Sequence, residues 1–325
     1  MAKIETALLT PDHLTEASRI VSRRYAALRE TAPSLPARYG ETEVLMPMLV
    51  ELLNAGPGVA AVVEGKLVGF LAGFPIPGFR GLPAVISPEY GNGMWLESGD
   101  PGYIWDAMYT ALAPHWVADG RTVHLVVSFA SDAEGIETWH MLGFGKACGD
   151  AVRGLDPVRT PATNLEIRRA GVQDIEAFGR LESGLADHLG STPTYLVGHE
   201  PSSRRVCLDL LSDAGYAVWL AFQNGEAIAY LLQGPASSNA CTIIRDAGTS
   251  SITGAYTDPA ARGTGVATVL LNRALAWARE QGYARCAVDF ETMNPQARRF
   301  WLRHFTPITF ALERHIDARA VPTRD

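Results

Sequence analysis

Residues 251–282 read SITGAYTDPAARGTGVATVLLNRALAWAREQG, which is a strand, a glycine-rich turn and a long helix in succession. The helix is marked by Val266, Val269, Leu270, Ala274 and Trp277 at helical spacing and by Gly282 where it stops. Between strand and helix lies Arg262-Gly263-Thr264-Gly265-Val266-Ala267. Glycines at 263 and 265 let successive backbone N–H groups converge on one point, and the helix adds the positive end of its dipole. Such a turn is a cradle for a pyrophosphate, and Arg262 sets a guanidinium beside it.

The turn lacks the GKT or GKS ending of nucleoside triphosphate loops and the three-glycine spacing of dinucleotide loops. It resembles the R-x-x-G-x-A loop of the GNAT superfamily, the acyl-CoA-dependent N-acyltransferases. The resemblance continues downstream. The run ARCAVDFE alternates Cys286, Val288 and Phe290 against Ala287, Asp289 and Glu291, as a strand does. The following MNPQARRFWLRHF is similar to the family's N-x-x-A-x-x-F-Y segment, with Asn294, Ala297 and Phe300 in place and Trp301 where the family has tyrosine. The two motifs span roughly residues 250–305.

The resemblance implies an acetyl-CoA co-substrate held by Tyr256, Thr257, Arg262, Gly263, Thr264, Gly265, Val266, Ala267, Thr268, Asn294, Ala297, Phe300 and Trp301. It implies transfer of the acetyl group to a primary amine of a small molecule or peptide by direct attack. The alternative is a CoA-binding regulatory or scaffold protein without catalysis, to which the missing tyrosine points. Acetyl transfer needs a neutral amine, a polarised thioester carbonyl and a proton for the leaving sulfur. Glu291 and Asp289, sharing one face of the strand at 285–291, are the candidate proton acceptors. Either could instead cap the next helix or pair with Arg298 or Arg299. Backbone N–H near Tyr256 and Thr257 is expected to polarise the carbonyl. Indole N–H is no acid, so Tyr256 or a water protonates the thiolate, or CoA leaves as the anion. Trp301 then packs against pantetheine or in the core.

A chain of 325 residues has room for two ordinary domains. Compared with itself at a shift of 162 residues, it brings Asp12 onto Asp174, Gly120 onto Gly282 and Trp139 onto Trp301. The segments VAAVVEGKLVGFLAGFP at 59–75 and AVWLAFQNGEAIAYLLQGP at 217–235 both read strand, glycine turn, strand. The expected fold class is α/β (α+β): two tandem GNAT-like domains, each a mixed, mostly antiparallel sheet flanked by helices, at 1–155 and 160–325, joined through GLDPVRTPATN at 154–164. At that shift Arg262 falls on Asp100 and Gly265 on Tyr103, so the first half reads SGDPGY where the second reads AARGTG. A carboxylate and a proline spoil a phosphate cradle, which makes the first half a degenerate domain that does not bind CoA. Met46, Met48, Met94 and Trp95 line either a substrate cleft or its core, and the polar stretch at 198–206 is a specificity candidate.

Hydrophobic residues make up 47% and charged residues 19%, as in folded globular chains, and the net charge of −7 has the wrong sign for nucleic acid. No apolar run reaches the length of a membrane span, and the start MAKIETALLTPD carries no cleavable apolar stretch, so a cytoplasmic protein is expected, monomer or homodimer. The four cysteines and eight histidines are scattered singly, so neither a disulfide framework nor a metal site is expected.

Overall fold

A computed structural model describes residues 3–95 and 100–322; Ser98 and Gly99 of the SGDPGY stretch lie outside the described residues. Two compact units divide the chain. The first comprises Met1–Gly149, Cys241–Ile243 and Pro307–Asp325, the second Asp150–Ala240 and Ile244–Thr306.

The first unit begins with β1 (Glu5–Leu8), α1 (Leu14–Thr31), α2 (Thr42–Ala55), β2 (Gly58–Val63), β3 (Lys66–Ala72), β4 (Phe74–Phe79), β5 (Leu82–Ser87) and β6 (Asn92–Met94). It continues through α3 (Pro101–Ala118), β7 (Val123–Phe129), α4 (Ala133–Met141) and most of β8 (Gly145–Arg153). One sheet runs β1-β2-β3-β6, and a second group of strands runs β4-β5-β7. The hairpin β4–β5 follows the strand–turn–strand segment read at 59–75 and is not itself read from the sequence. Pro75 and Pro77 hide β4, because proline inside an apolar run argues against a strand.

Trp105, Tyr109, Trp139 and Phe144 form the centre of this unit's core, with Met94 buried among them. Met46, Met48 and Trp95 pack against a second cluster under α1 and α2. All four therefore take part in packing. Asp100 is the N-cap of α3, its carboxylate accepting from Gly102 N–H at 2.9 Å. Where a phosphate cradle would stand, the first unit has an ordinary capped helix start.

The second unit holds β9 (Glu166–Arg169), α5 (Ile175–Gly190), α6 (Arg204–Ser212), β10 (Ala217–Gln223), β11 (Glu226–Pro235), β12 (Thr249–Thr257), α7 (Val266–Glu280), β13 (Arg285–Glu291) and α8 (Pro295–His304). Its strands run β13-β12-β11-β10-β9, antiparallel except for β12–β13. Phe178 and Leu181 of α5 pack on Val218, Leu220, Tyr230 and Leu232 of the sheet. The final strand, β14 (Thr306–His315), pairs with β7 from Thr309↔Phe129 to His315↔Val123, and its Leu312 is fully buried in the Trp105 cluster. A cut at 155–160 would leave this strand with the second half; its pairing assigns it to the first unit.

Candidate active site

Two features of β12 open a gap in the second unit's sheet. Its parallel register with β13 runs from Thr249↔Arg285 to Ile252↔Val288, although both strands continue beyond. Its register with β11 shifts at the same place, so that Thr253 is an extra, bulged residue. A bulge bends and twists its strand, which carries β12 away from β13 and leaves the β13-facing edge of 253–257 without that ladder partner.

The turn after β12 closes one end of the gap. Gly263 and Gly265 have φ of +80° and +89°, and Gly265 is the N-cap of α7. A Cβ on Gly265 would come within 2.5 Å of Pro161 Cγ, so the segment joining the two halves of the sequence is packed directly behind the turn. Val266 and Ala267, the first positions of α7, carry N–H groups that have no acceptor within the helix. Arg262 donates from Nε to the Thr257 carbonyl at 3.0 Å and from Nη1 to Gln296 Oε1 at 2.8 Å. It braces the turn against β12 and α8 with part of its fork of donors while still facing the gap.

Opposite stands α8. Asn294 caps it, accepting from Ala297 N–H at 3.2 Å, and Pro295 occupies the first helical position. Residues at steps of three to four from this cap share one face, which is why Asn294, Ala297, Phe300 and Trp301 meet the gap together. From the other side α5 contributes Leu185 and His188, one turn apart. Gly184 lets the Tyr256 ring lie against α5, since a Cβ there would sit 2.7 Å from Tyr256 Cε1.

These elements enclose a cavity of about 440 Å³. Of the residues read from sequence, its wall holds Tyr256, Thr257, Arg262, Gly263, Gly265, Val266, Ala267, Thr268, Asn294, Ala297, Phe300 and Trp301. Thr264 is not among them. It lines a separate cavity of about 510 Å³ together with residues 162–166, and its hydroxyl donates to the Ala261 carbonyl at 2.7 Å. His188, Tyr230, Gln296 and Arg303 add polar side chains to the first wall, none of them among the residues read from sequence. The ring of His188 lies 6.5 Å from that of Tyr256, and its side chain hydrogen-bonds with Asn294. Partial burial and the nearby Arg262 lower its pKa, against the pull of Asn294.

Neither candidate carboxylate is in the wall. Asp289 is exposed on β13, with protein packed around part of its side chain. Loss of hydration, with Asp150 nearby, pushes its carboxyl up to about 6. Glu291, two residues on, ends β13 half-buried, and its backbone carbonyl accepts from Asn294 N–H at 3.1 Å. Arg298 donates to the Thr292 carbonyl at 2.5 Å. Cys286 is fully buried and its thiol is pushed up to about 12, so it is no nucleophile. Among the described residues no group of three or more His, Cys, Asp or Glu could hold a metal ion, and no helix is long and apolar enough to cross a membrane.

Residues 185–305, which include every wall of this cavity, match the family model described as Acetyltransferase (GNAT) family. The chain carries a GNAT-family domain. The crystal structure of a GCN5-related N-acetyltransferase from Sphaerobacter thermophilus is similar over 99% of this chain and 97% of its own, with a TM-score of 0.51 and 14% identity. A GCN5-related glucosamine N-acetyltransferase region of a fungal multi-domain GH3 beta-N-acetylglucosaminidase aligns with 96% of this chain and 38% of its own, at a TM-score of 0.51 and 13% identity. At such identities the likeness is one of fold, and it extends over both halves of the chain: the architecture is two GNAT-like halves in tandem. No curated protein sequence matches the chain.

Proposed function

We propose that the chain is an acetyl-CoA-dependent N-acetyltransferase whose second half binds the cofactor and whose acceptor is a primary amine of a small molecule or peptide. The observation that carries this reading is the cavity itself, in which an open strand edge, a left-handed glycine turn at a helix start and an apolar helix face converge. The pyrophosphate would take the N–H groups around Gly263, Gly265, Val266 and Ala267, with Arg262 and Arg303 supplying positive charge. The pantetheine amides would hydrogen-bond to the free edge of β12, against Ala297, Phe300 and Trp301. That binding brings the thioester to the point where β12 and β13 part, and a backbone N–H near Tyr256 or Thr257 polarises its carbonyl. Attack by a neutral amine forms the C–N bond, and the C–S bond breaks.

Glu291 and Asp289 remain candidates for the proton acceptor from the far side of the gap. Trp301 is the observation that favours the second reading, a CoA-binding protein without turnover, since an indole delivers no proton to sulfur. The two readings separate on one experiment. Acetyl-CoA is incubated with the protein and a panel of primary amines, and thiol release is followed; turnover with one amine class is expected. Tight acetyl-CoA binding with no thiol release across the panel would favour the non-catalytic reading.

A further inference from the structure

We propose that His188 is the proton carrier of this site, accepting the proton of the attacking amine at its imidazole and passing it to the departing sulfur of CoA. The inference rests on the acetyltransferase reading and assigns it a residue that no motif marks. Its basis is position. His188 reaches the cavity from α5, where Leu185 and His188 face it together, and its side chain is held by Asn294, the cap of α8. Asn294 is itself fixed, because its Oδ1 accepts from Ala297 N–H. The ring thus stands in the wall that α5 and α8 share, beside Tyr256. Glu291 and Asp289 are absent from the same wall, and Trp301 takes the position of an acid.

The surroundings give the imidazole the protonation states the task needs. Arg262 of the turn acts on it electrostatically and the Tyr256 ring of β12 lies 6.5 Å away, while Arg303 of α8 and Tyr230 of β11 line the same cavity. Its own helix carries Asp187, and Glu182, whose carboxylate accepts from the Tyr230 hydroxyl. Partial burial and the Arg262 guanidinium disfavour a positive charge on the ring, against the pull of Asn294, which favours the neutral imidazole that can accept a proton.

The proton balance closes without any further reactant. The amine nitrogen attacks the thioester carbon, and the nitrogen of the resulting adduct, now positively charged, gives one proton to the imidazole. The C–S bond breaks with its electron pair moving to sulfur. The imidazolium returns the proton to that sulfur, leaving amide, CoA thiol and neutral His188. The last step is downhill, because an imidazolium with a lowered pKa is a stronger acid than a thiol of pKa near 8.5.

Three forms of the full chain test the assignment: wild type, His188→Gln and Asn294→Asp, each with acetyl-CoA affinity from calorimetry and the pH dependence of kcat from thiol release. His188→Gln is expected to keep acetyl-CoA affinity within about threefold, to lose roughly 10²-fold in kcat, and to lose the acidic limb of the profile. Aspartate caps a helix as well as asparagine, so Asn294→Asp is expected to fold and to hold the imidazolium more tightly, moving the acidic limb to higher pH by about one unit. A His188→Gln enzyme within fivefold of wild type that retains the acidic limb, or an Asn294→Asp limb that does not move, overturns the role of His188 alone. A wild type that binds acetyl-CoA but releases thiol with no amine overturns the acetyltransferase reading, and this inference with it.

Discussion

Gly265 is fixed twice over. Its φ of +89° is one that residues with a Cβ adopt at a cost of roughly 1–2 kcal/mol, and Pro161 already fills the space a Cβ would take. Gly263 has a similar φ of +80° but open space around it. Gly265→Ala should therefore lower the melting temperature and weaken acetyl-CoA binding about tenfold or more, a loss of about 1.4 kcal/mol or greater, while Gly263→Ala should cost less on both counts. Thermal melts and calorimetry on the pair check the order; equal effects would mean that Pro161 yields freely. This turn was legible in the sequence because its glycines and arginine are local. His188 was not, since a lone histidine acquires a role only when a helix that ends at Gly190 folds against α7, which begins at Val266, and α8, which begins at Pro295. Asp289 makes a second prediction at this scale. Its carboxyl holds a proton more tightly in the folded chain than in the unfolded one, so folded stability falls as pH rises from about 4 through about 6. Asp289→Asn should be more stable than wild type above pH 6, with the difference closing below pH 4. Denaturant titrations at pH 8 and pH 4 read this directly, and an unchanged difference would place the carboxyl in ordinary solvent.

Among the elements, β7 shows how a strand hides chemistry. VHLVVSF is buried throughout, and His124 within it meets the Tyr109 hydroxyl at 2.8 Å from its Nδ1. Loss of hydration holds its pKa down to about 4, so the folded strand requires a neutral ring. The unfolded chain binds the proton at its ordinary pKa, near 6.5. Stability supported by the neutral ring is thus whole above pH 6.5 and is lost as pH falls toward 4, by at most about 3 kcal/mol. In denaturant titrations across that range, His124→Gln should show a shallower fall than wild type; parallel curves would contradict the account. The sequence revealed the order of helices and paired hairpins, because periodicity and turn glycines are local signals. It concealed β4 behind two prolines, and it could not reveal the bulge at Thr253, which exists only in the register of β12 against β11.

At the scale of the whole molecule, the 162-residue shift sets equivalent positions of the two halves side by side. At that shift Asp132 falls on Asn294 and Gly93 on Ala255, both of which line the cavity of the second unit. In the first unit Arg24 spans the equivalent positions. Its Nη1 donates to the Asn92 carbonyl at 2.9 Å, its Nη2 to Asp132 Oδ2 at 2.7 Å, and its side chain is only 8% exposed. Breaking a buried ion pair of this kind typically costs about 3–5 kcal/mol. The assignment of β14 to the first unit carries its own prediction. Removing residues 307–325 should unfold the first unit more than the second, exposing its tryptophan core to proteolysis; a first unit as resistant as before would contradict that assignment. The central claim is that the cavity between β12, α5, α7 and α8 is the one acetyl-CoA site. Calorimetric titration of acetyl-CoA into the full chain tests it most directly, beside Arg262→Glu as the paired variant. The account predicts one site per chain in the wild type and an affinity loss of about 1.5–3 kcal/mol in the variant, the scale of a charge-assisted phosphate contact. Two sites per chain, or an affinity indifferent to Arg262→Glu, would contradict it.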